Sequence, residues 1–444
     1  MPTKEDLRYF QALPLDMKIG LTKNRIRDWV REYGESGVYV SFSGGKDSTV
    51  LLHIVREMYP DIEAVFVNTG LEYPEIQKFV KTFDNVTILR PKMRFDEVIK
   101  KYGYPLIGKR QANSIDLGRK NIKDNKYSFR LLTLGIKPSE ALEMGLELPP
   151  EEMLERYKKT KEGTKYNIPK YQPLLFTDFE TSAKCCDVMK KQPLKAYEKQ
   201  TGKRPIMATM TSESMLREST WLKNGCNAFD AKEPKSAPMS FWTEQDVLQY
   251  IKLYIQPRLF SSWIKASLEH GRSRKRARKY LKKINYRKTA IASVYGDIVY
   301  LENPEQMRFE EMGVKGCGTE KLKTTGCDRT GCIFCAFGCH LEKESRFQRL
   351  KQTHPRQYEF CIGGGEFVWE GTAYTSSGEP REISWINDDD SPMSNEEIEE
   401  FVNENKNNEN FKFVRIWQPN KKGLGMGHVF DELNKIYGDG FIKY

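Results

Sequence analysis

Short apolar runs alternate with stretches of helical periodicity along the first hundred residues. Runs at 38–42, 64–67 and 86–89 have the length and composition of buried strands. After each run, apolar residues recur at intervals of three and four, which is typical of an amphipathic helix. Because strand and helix alternate, the pattern predicts an α/β fold with a doubly wound parallel sheet. In such sheets ligands bind at the carboxyl ends of the strands.

The same alternation resumes later in the chain, after polar and basic interruptions. A strand is predicted at 205–210, and a helix begins near Thr243. We therefore divide the chain into six segments. They are the first part of the α/β core (1–112), a polar, partly helical insertion (113–180), the second part of the core (181–254), a basic insertion (255–288), the end of the core with a cysteine-rich segment (289–345) and a C-terminal region (346–444).

The composition is that of a soluble protein, with 444 residues, 39% hydrophobic and 30% charged. No run of about 18 apolar residues occurs, so we expect no membrane span. The first residues lack the apolar core of a signal peptide. Nine cysteines without a secretion signal indicate the reducing cytoplasm, where clustered cysteines bind metal or act in redox chemistry. The oligomeric state is left open.

The positive charge is concentrated in one short segment. The net charge is +11, and residues 272–288 contain ten Lys or Arg, no acidic residue, and the tyrosines Tyr280 and Tyr286. Such a segment binds nucleic acid through phosphate contacts, or it forms a solvated basic helix. The sequence leaves both alternatives open.

The turn after the first predicted strand carries the strongest functional signal. Residues 43–48 read Ser-Gly-Gly-Lys-Asp-Ser, between a strand and a helix. Glycines let backbone N–H groups approach a polyanion, and the helix start adds the positive end of its dipole. We therefore predict a phosphate-binding turn there and a second contact region after the next strand. The predicted nucleotide-binding residues are Ser41, Ser43, Gly44, Gly45, Lys46, Asp47, Ser48, Asn68, Thr69 and Gly70.

Two groups of cysteines are candidates for metal binding. Cys185 and Cys186 are adjacent, and Cys327, Cys332, Cys335 and Cys339 follow the spacing C-x4-C-x2-C-x3-C. Thiolates at this spacing suit tetrahedral zinc or an iron–sulfur cluster. The adjacent pair favours a [4Fe–4S] cluster, because tight loops around one zinc ion usually need spacers. Buried free thiols remain the alternative.

The loop at 43–48 looks like the PP-loop of ATP pyrophosphatases and sulfonucleotide reductases, and differs from a Walker A loop. The chain resembles the phosphoadenosine phosphosulfate (PAPS) reductase family through about residues 10–345. Residues 66–74 are similar to its second-strand motif, and 185–194 to the double-cysteine motif of adenylylsulfate (APS) reductases. Further family-like segments are 211–217 and 238–247. The resemblance implies an adenine nucleotide alpha-hydrolase-like fold.

The resemblance also implies cofactors. ATP, or APS or PAPS in its place, would bind the loop with Mg²⁺, and a [4Fe–4S] cluster would lie beside the nucleotide. Carried over from iron–sulfur APS reductases, its ligands are Cys185, Cys186, Cys332 and Cys335. The rival set is Cys327, Cys332 and Cys335 with Cys186 or Cys339.

Two departures from the reductases affect the predicted activity. The last residues, GDGFIKY, lack the catalytic cysteine motif of the family, and the loop is intact, as in ATP pyrophosphatases. The intact loop together with an iron–sulfur site also resembles the sulfur-transfer enzyme of DNA phosphorothioation and some tRNA thiolases. Our leading hypothesis is therefore ATP-dependent adenylation and sulfur transfer to an acceptor such as nucleic acid, with a thiol or sulfur-donor protein as a further partner.

In this hypothesis three residues have catalytic roles. Lys46 stabilises charge between the α and β phosphates, Asp47 holds Mg²⁺, and Arg217 clamps a phosphate or sulfate. Their alternative roles are structural: Asp47 caps a helix, and Arg217 pairs with Glu213 at i, i+4. A second hypothesis is reduction of APS or PAPS to sulfite, with Cys339 or a partner thiol as nucleophile. A third is a nucleotide- and DNA-binding regulator without catalysis.

Overall fold

The structure is a computed structural model that describes residues 2–162, 167–255, 294–300, 321–327, 330–375, 377–387 and 389–444. The chain divides into two compact units, each formed by two separate stretches of sequence. The first unit comprises Met1–Pro91 and Lys190–Cys332, and the second comprises Lys92–Met189 and Ile333–Tyr444. The basic segment 272–288 lies outside the described residues. The six-segment division stays a prediction.

The first unit is organised around a six-stranded sheet. Its strands are β1 (Val38–Ser41), β2 (Ala64–Val67), β3 (Val86–Leu89), β4 (Arg204–Met207), β5 (Asn227–Ala228) and β6 (Lys235–Ser236). They lie in the order β3-β2-β1-β4-β6-β5. Every pairing is parallel except that between β5 and β6, so the α/β fold with a parallel sheet is confirmed.

The position of β1 decides where a ligand would bind. This strand pairs with β2 on one side and with β4 on the other, so the chain reverses its direction of travel across the sheet beside β1. Parallel sheets bind ligands outside the carboxyl ends of strands at such a switch point. The loop after Ser41 therefore lies at the expected place.

Helices cover the sheet of this unit. They are α1 (Lys4–Ala12), α2 (Leu15–Tyr33), α3 (Lys46–Met58), α4 (Pro74–Val80) and, further along the chain, Gln192–Thr201, Met215–Asn224 and Glu244–Tyr250. The apolar side chains of α3 at Val50, Leu51, Ile54 and Val55 are fully buried in the core. Their burial is why the periodicity after the loop forms a helix against the sheet.

A short antiparallel ribbon completes the described part of the first unit. Its strands are β7 (Ile298–Tyr300) and β8 (Leu322–Thr324), and Val299 pairs with Lys323. The ribbon continues past the strand ends, since the Gly326 N–H donates to the Tyr295 carbonyl at 2.8 Å. β7 forms the last three residues of the apolar, strand-like stretch at 291–300, of which 291–293 lie outside the described residues.

The second unit combines helices with a three-stranded antiparallel sheet. Its strands β9 (Glu366–Tyr374), β10 (Pro380–Glu382) and β11 (Phe411–Gln418) lie in the order β10-β9-β11. The helices are Phe95–Tyr102, Lys109–Lys123, Phe129–Thr133, Pro138–Glu143, Glu151–Glu162, Arg346–Thr353, Pro355–Ile362, Asn395–Asn405 and Met426–Tyr437. Among the described residues of the whole chain, no helix is both long enough and apolar enough to cross a bilayer.

Candidate functional site

The turn between β1 and α3 is folded by its own hydroxyl groups. The Ser43 N–H donates to Ser48 Oγ at 3.2 Å, and the two serine hydroxyls lie 3.0 Å apart. Ser48 Oγ also donates to the Gly45 carbonyl at 3.1 Å. These bonds hold the loop against the first turn of α3, which begins at Lys46. The loop has a defined shape before any ligand binds.

Gly44 is required by both backbone and packing. Its φ is +70°, a region that favours glycine. A Cβ added there would lie 2.7 Å from Ile76 Cγ2 and 2.8 Å from Val80 Cγ2, both on α4. The loop therefore packs directly against the helix that follows β2, and any side chain at this position would push it away.

Lys46 is the buried cation of the loop. Its side chain is only 4% exposed, and its ammonium lies 2.9 Å from Glu244 Oε1 and 5.2 Å from the ring centroid of Tyr295. Its backbone N–H donates to Tyr295 Oη at 3.2 Å, and that oxygen lies 2.6 Å from Thr330 Oγ1. The sequence pattern pointed to none of Glu244, Tyr295 and Thr330, which approach the loop from distant parts of the chain.

The turn after β2 is held by Glu72. Thr69 donates to this carboxylate through its N–H, at 3.0 Å, and through its hydroxyl, at 2.8 Å. The Gly70 N–H donates to Asn68 Oδ1 at 3.1 Å. The side chains of Asn68 and Thr69 thus shape their own turn, and their contact with a nucleotide stays a prediction.

A cavity of about 120 Å³ lies at the carboxyl ends of β1 and β2. Of the predicted nucleotide-binding residues, Ser41 and Ser43 line it, whereas residues 44–48 and 68–70 are not among its lining residues. Glu72, Tyr73, Lys190 and Thr330 also line it. Lys190 Nζ lies 3.8 Å from Glu72 Oε1, which places a cation at the cavity. The sequence predicted Ser41 and Ser43 as residues of this site but did not indicate Lys190.

Asp47 and Arg217 are the other two predicted catalytic residues. Asp47 lies in the first turn of α3, where an acidic side chain favours the positive end of the helix dipole. Arg217 forms an ion pair with Glu213 at i, i+4, and its side chain is 41% exposed. Arg217 does not belong to the described residues that line the cavity. The ion pair expected of a purely structural Arg217 is thus present, while the role of Arg217 as a clamp for phosphate or sulfate stays a prediction.

The cysteines are divided between the two units. Cys185, Cys186, Cys335 and Cys339 belong to the second unit, and Cys332 ends the first. Burial raises the pKa of the Cys335 thiol, and the neighbouring Cys186 adds to this effect. Burial also raises the pKa of Cys339 to about 12. Both thiols are therefore protonated at neutral pH, although the nearby Arg346 lowers the pKa of each in part.

The family resemblance implies that four of these cysteines hold a [4Fe–4S] cluster. Within the described ranges, no three side chains of His, Cys, Asp or Glu converge closely enough to hold a metal ion. A [4Fe–4S] cluster would need four thiolates around one centre. The ligand set Cys185, Cys186, Cys332 and Cys335 stays a prediction, and we derive no step through a cluster.

The region that contains the loop matches the model of a known protein family. The model of the phosphoadenosine phosphosulfate reductase domain matches residues 37–106, which include β1, the loop, β2 and β3. The match agrees with the resemblance to the PAPS reductase family inferred from the motifs. The matched segment contains all ten predicted nucleotide-binding residues.

Each of three curated relatives matches about a fifth of the chain. An uncharacterized protein of Methanocaldococcus jannaschii is 37% identical over 83 residues, 18% of this chain and 20% of the relative. A phosphoadenosine 5'-phosphosulfate reductase of Xylella fastidiosa is 32% identical over 82 residues, 18% of this chain and 33% of the relative. An adenosine 5'-phosphosulfate reductase of Bacillus cereus is 29% identical over 87 residues, 18% of this chain and 37% of the relative. The chain thus matches between a fifth and just over a third of these proteins' lengths.

A solved structure is also similar at a low level. The PAPS reductase of Candida auris, in a phosphate complex, aligns with 57% of this chain and 87% of its own at 12% identity and a TM-score of 0.28. A similarity this low carries no argument about the activity of this chain.

Proposed function

We propose that this chain is an enzyme of sulfur metabolism that binds an adenine nucleotide at residues 43–48. The observation that carries this proposal is the loop itself. It follows β1 at the switch point of the sheet, bends through Gly44 in a conformation suited to glycine, and opens α3 with a buried lysine. Backbone N–H groups at a helix start beside an ammonium group form an anion-binding site.

The chemistry follows from the intact PP-loop. The N–H groups of Gly45 and Lys46 would bind phosphate oxygens, with Mg²⁺ held by Asp47, and the turn Asn68-Thr69-Gly70 would contact the adenosine. An acceptor oxygen would attack the α-phosphorus of ATP, and the bond to the β-phosphate would break to release pyrophosphate. A sulfur nucleophile from a donor protein would then displace AMP. Lys46 would stabilise the charge that develops between the α and β phosphates.

The second candidate is reduction of a sulfonucleotide. It is favoured by the names of the Xylella and Bacillus relatives, which are reductases of PAPS and APS. Reduction of APS or PAPS to sulfite takes two electrons, which a pair of thiols supplies by forming a disulfide. Cys339 is 2% exposed and its thiol is protonated, so a partner thiol is the better nucleophile in this scheme.

Two assays on the purified full chain distinguish the candidates. With ATP, Mg²⁺ and a sulfide donor, release of pyrophosphate is the expected result. With APS or PAPS and a dithiol, sulfite at enzymatic rates would instead establish the reductase. Nucleic acid acceptors belong in the first assay, because the basic residues 272–288 suit phosphate contacts.

We expect the substitution Lys46→Met to weaken ATP binding by roughly 10- to 100-fold. The reason is the loss of a charge-assisted hydrogen bond, worth about 1.5–3 kcal/mol. Isothermal titration calorimetry measures the change in Kd. The control is Lys23→Met, which makes the same chemical change at an ion pair with Glu57 on the surface. Equal affinity in the two variants would exclude Lys46 from the phosphate site.

The [4Fe–4S] cluster has a separate test. Protein purified without oxygen would contain four iron atoms per chain and absorb near about 400 nm if the cysteines hold the cluster. Cys332→Ser would then lower the iron content. Colourless protein with one zinc per chain would reject the cluster while leaving nucleotide binding at the loop unaffected.

A further inference from the structure

The anion-binding groups of the loop are in contact with other parts of the same chain. The Lys46 N–H, which opens α3, donates to the hydroxyl of Tyr295. The Lys46 ammonium pairs with the carboxylate of Glu244. A Cβ placed on Gly45 would lie 3.3 Å from Tyr295 Oη and 3.2 Å from Thr330 Oγ1, so both hydroxyls lie directly above the loop backbone.

Together these partners supply the two features through which a phosphate group would bind, an acceptor oxygen and a negative charge. Tyr295 Oη is an acceptor oxygen at the start of a helix, and Glu244 supplies the negative charge beside the ammonium. Tyr295 is buried, and burial raises the pKa of its hydroxyl, so the group is neutral. Glu244 is half-exposed, which leaves its carboxylate able to turn toward water.

We propose that Tyr295 and Glu244 occupy the phosphate-binding groups of the loop in the absence of nucleotide, and that a nucleotide binds by displacing them. This inference rests on the proposed function, because it concerns the same loop. It assigns to the two residues the role of intramolecular competitors, which set nucleotide affinity below the value that the loop alone would provide.

Gln245 links the two competitors. Its side-chain amide donates to the Leu322 carbonyl at 2.9 Å and accepts from the Leu322 N–H at 2.7 Å. Leu322 begins β8, which pairs with β7, and the ribbon carries Tyr295 at its other end. Glu244 precedes Gln245 directly in the chain. Displacement of the ribbon would therefore disturb the hydrogen bonds of Gln245, the residue next to Glu244.

The helix that carries Glu244 is held in place by two contacts with α2. We therefore expect the ribbon, rather than this helix, to move when a nucleotide binds. Trp242 Nε1 donates to Thr22 Oγ1 at 2.9 Å, and Asp246 pairs with the buried Lys18 at 2.7 Å. Both contacts hold the start of helix Glu244–Tyr250 to α2. Thr330, beyond the ribbon, also lines the cavity at β1 and β2. Displacement of Tyr295 with Thr330 would enlarge that cavity toward the phosphate loop.

Calorimetry with ATP and Mg²⁺ tests the proposal in the full chain. Tyr295→Phe removes one neutral hydrogen bond and is expected to tighten ATP binding about fivefold. Glu244→Gln removes the competing charge and is expected to tighten it roughly tenfold. Glu57→Gln, a matched change at a surface ion pair, should leave the Kd unchanged. Unchanged or weaker binding in the Tyr295 and Glu244 variants would overturn the proposal.

Hydrogen exchange gives a second measurement on the unmodified chain. The N–H groups of Gly326 and Cys327 donate to the carbonyls of Tyr295 and Val294. Saturating ATP should accelerate their exchange if the ribbon is displaced, and slower exchange would contradict displacement. ATP binding without tightening in the variants overturns this inference alone. Absence of ATP binding in the native chain and in every variant overturns the proposed function, and this inference with it.

Discussion

Gly44→Ala is expected to lower stability and to impair nucleotide binding together. The left-handed backbone costs a non-glycine residue about 1–2 kcal/mol. Overpacking against Ile76 and Val80 adds about 1–3 kcal/mol, because both are buried, β-branched side chains on α4. If the loop moves to relieve the clash, its N–H groups leave their positions. We expect the Kd for ATP to rise at least about tenfold, since each lost hydrogen bond costs about 1 kcal/mol.

Gly70→Ala is the matched control for this substitution. Gly70 has nearly the same φ, +76°, but an added Cβ would meet nothing within 4 Å. It should therefore show only the backbone cost of about 1–2 kcal/mol. Urea denaturation measures the two free energies of unfolding, for which Gly70→Ala is the control, and calorimetry compares the ATP affinity of the Gly44 variant with that of the native chain. Equal losses of stability in both variants would show that the contact with α4 does not constrain the loop.

Lys18→Met is expected to lower the free energy of unfolding by about 3 kcal/mol, because it leaves the carboxylate of Asp246 without its partner. The Lys18 side chain is 2% exposed and that of Asp246 is 11% exposed, at an N–O distance of 2.7 Å. The Lys18 ammonium also donates to the Gln11 carbonyl at 2.8 Å. The partial exposure of Asp246 places the loss at the lower end of the range for buried pairs. Urea denaturation followed by tryptophan fluorescence measures it.

The control for this prediction is again Lys23→Met. Its ion pair with Glu57 spans 3.2 Å and is partly exposed on both sides, so the expected loss is below about 1 kcal/mol. A loss of the same size in both variants would show that burial of the Lys18 pair adds nothing to stability. In that case the anchoring of the helix that carries Glu244 would rest on Trp242 and Thr22.

The Trp-Thr-x-x-Asp segment connects stability with the site. Thr243 and Asp246 form a capping box at the start of helix Glu244–Tyr250, and Trp242 is fully buried. The first residue of that helix is the partner of Lys46. The motif therefore fixes the position of Glu244, which explains how a segment without chemistry of its own can bear on nucleotide affinity.

Local sequence patterns predicted those parts of the fold that depend on neighbouring residues. The strands β2 and β3 have the predicted bounds, because periodicity reports which face of a local segment is buried. The predicted strand at 38–42 ends one residue earlier, at Ser41. The glycine loop was recognisable because its backbone geometry and its helix start are encoded within six residues.

The residues that reach this loop from distant parts of the chain could be identified from the three-dimensional structure alone. Tyr295 lies 249 positions beyond Lys46 in the chain, and no spacing rule connects them. Contacts over such separations arise when whole elements pack together. They depend on the shape of the entire core, which a local pattern does not record.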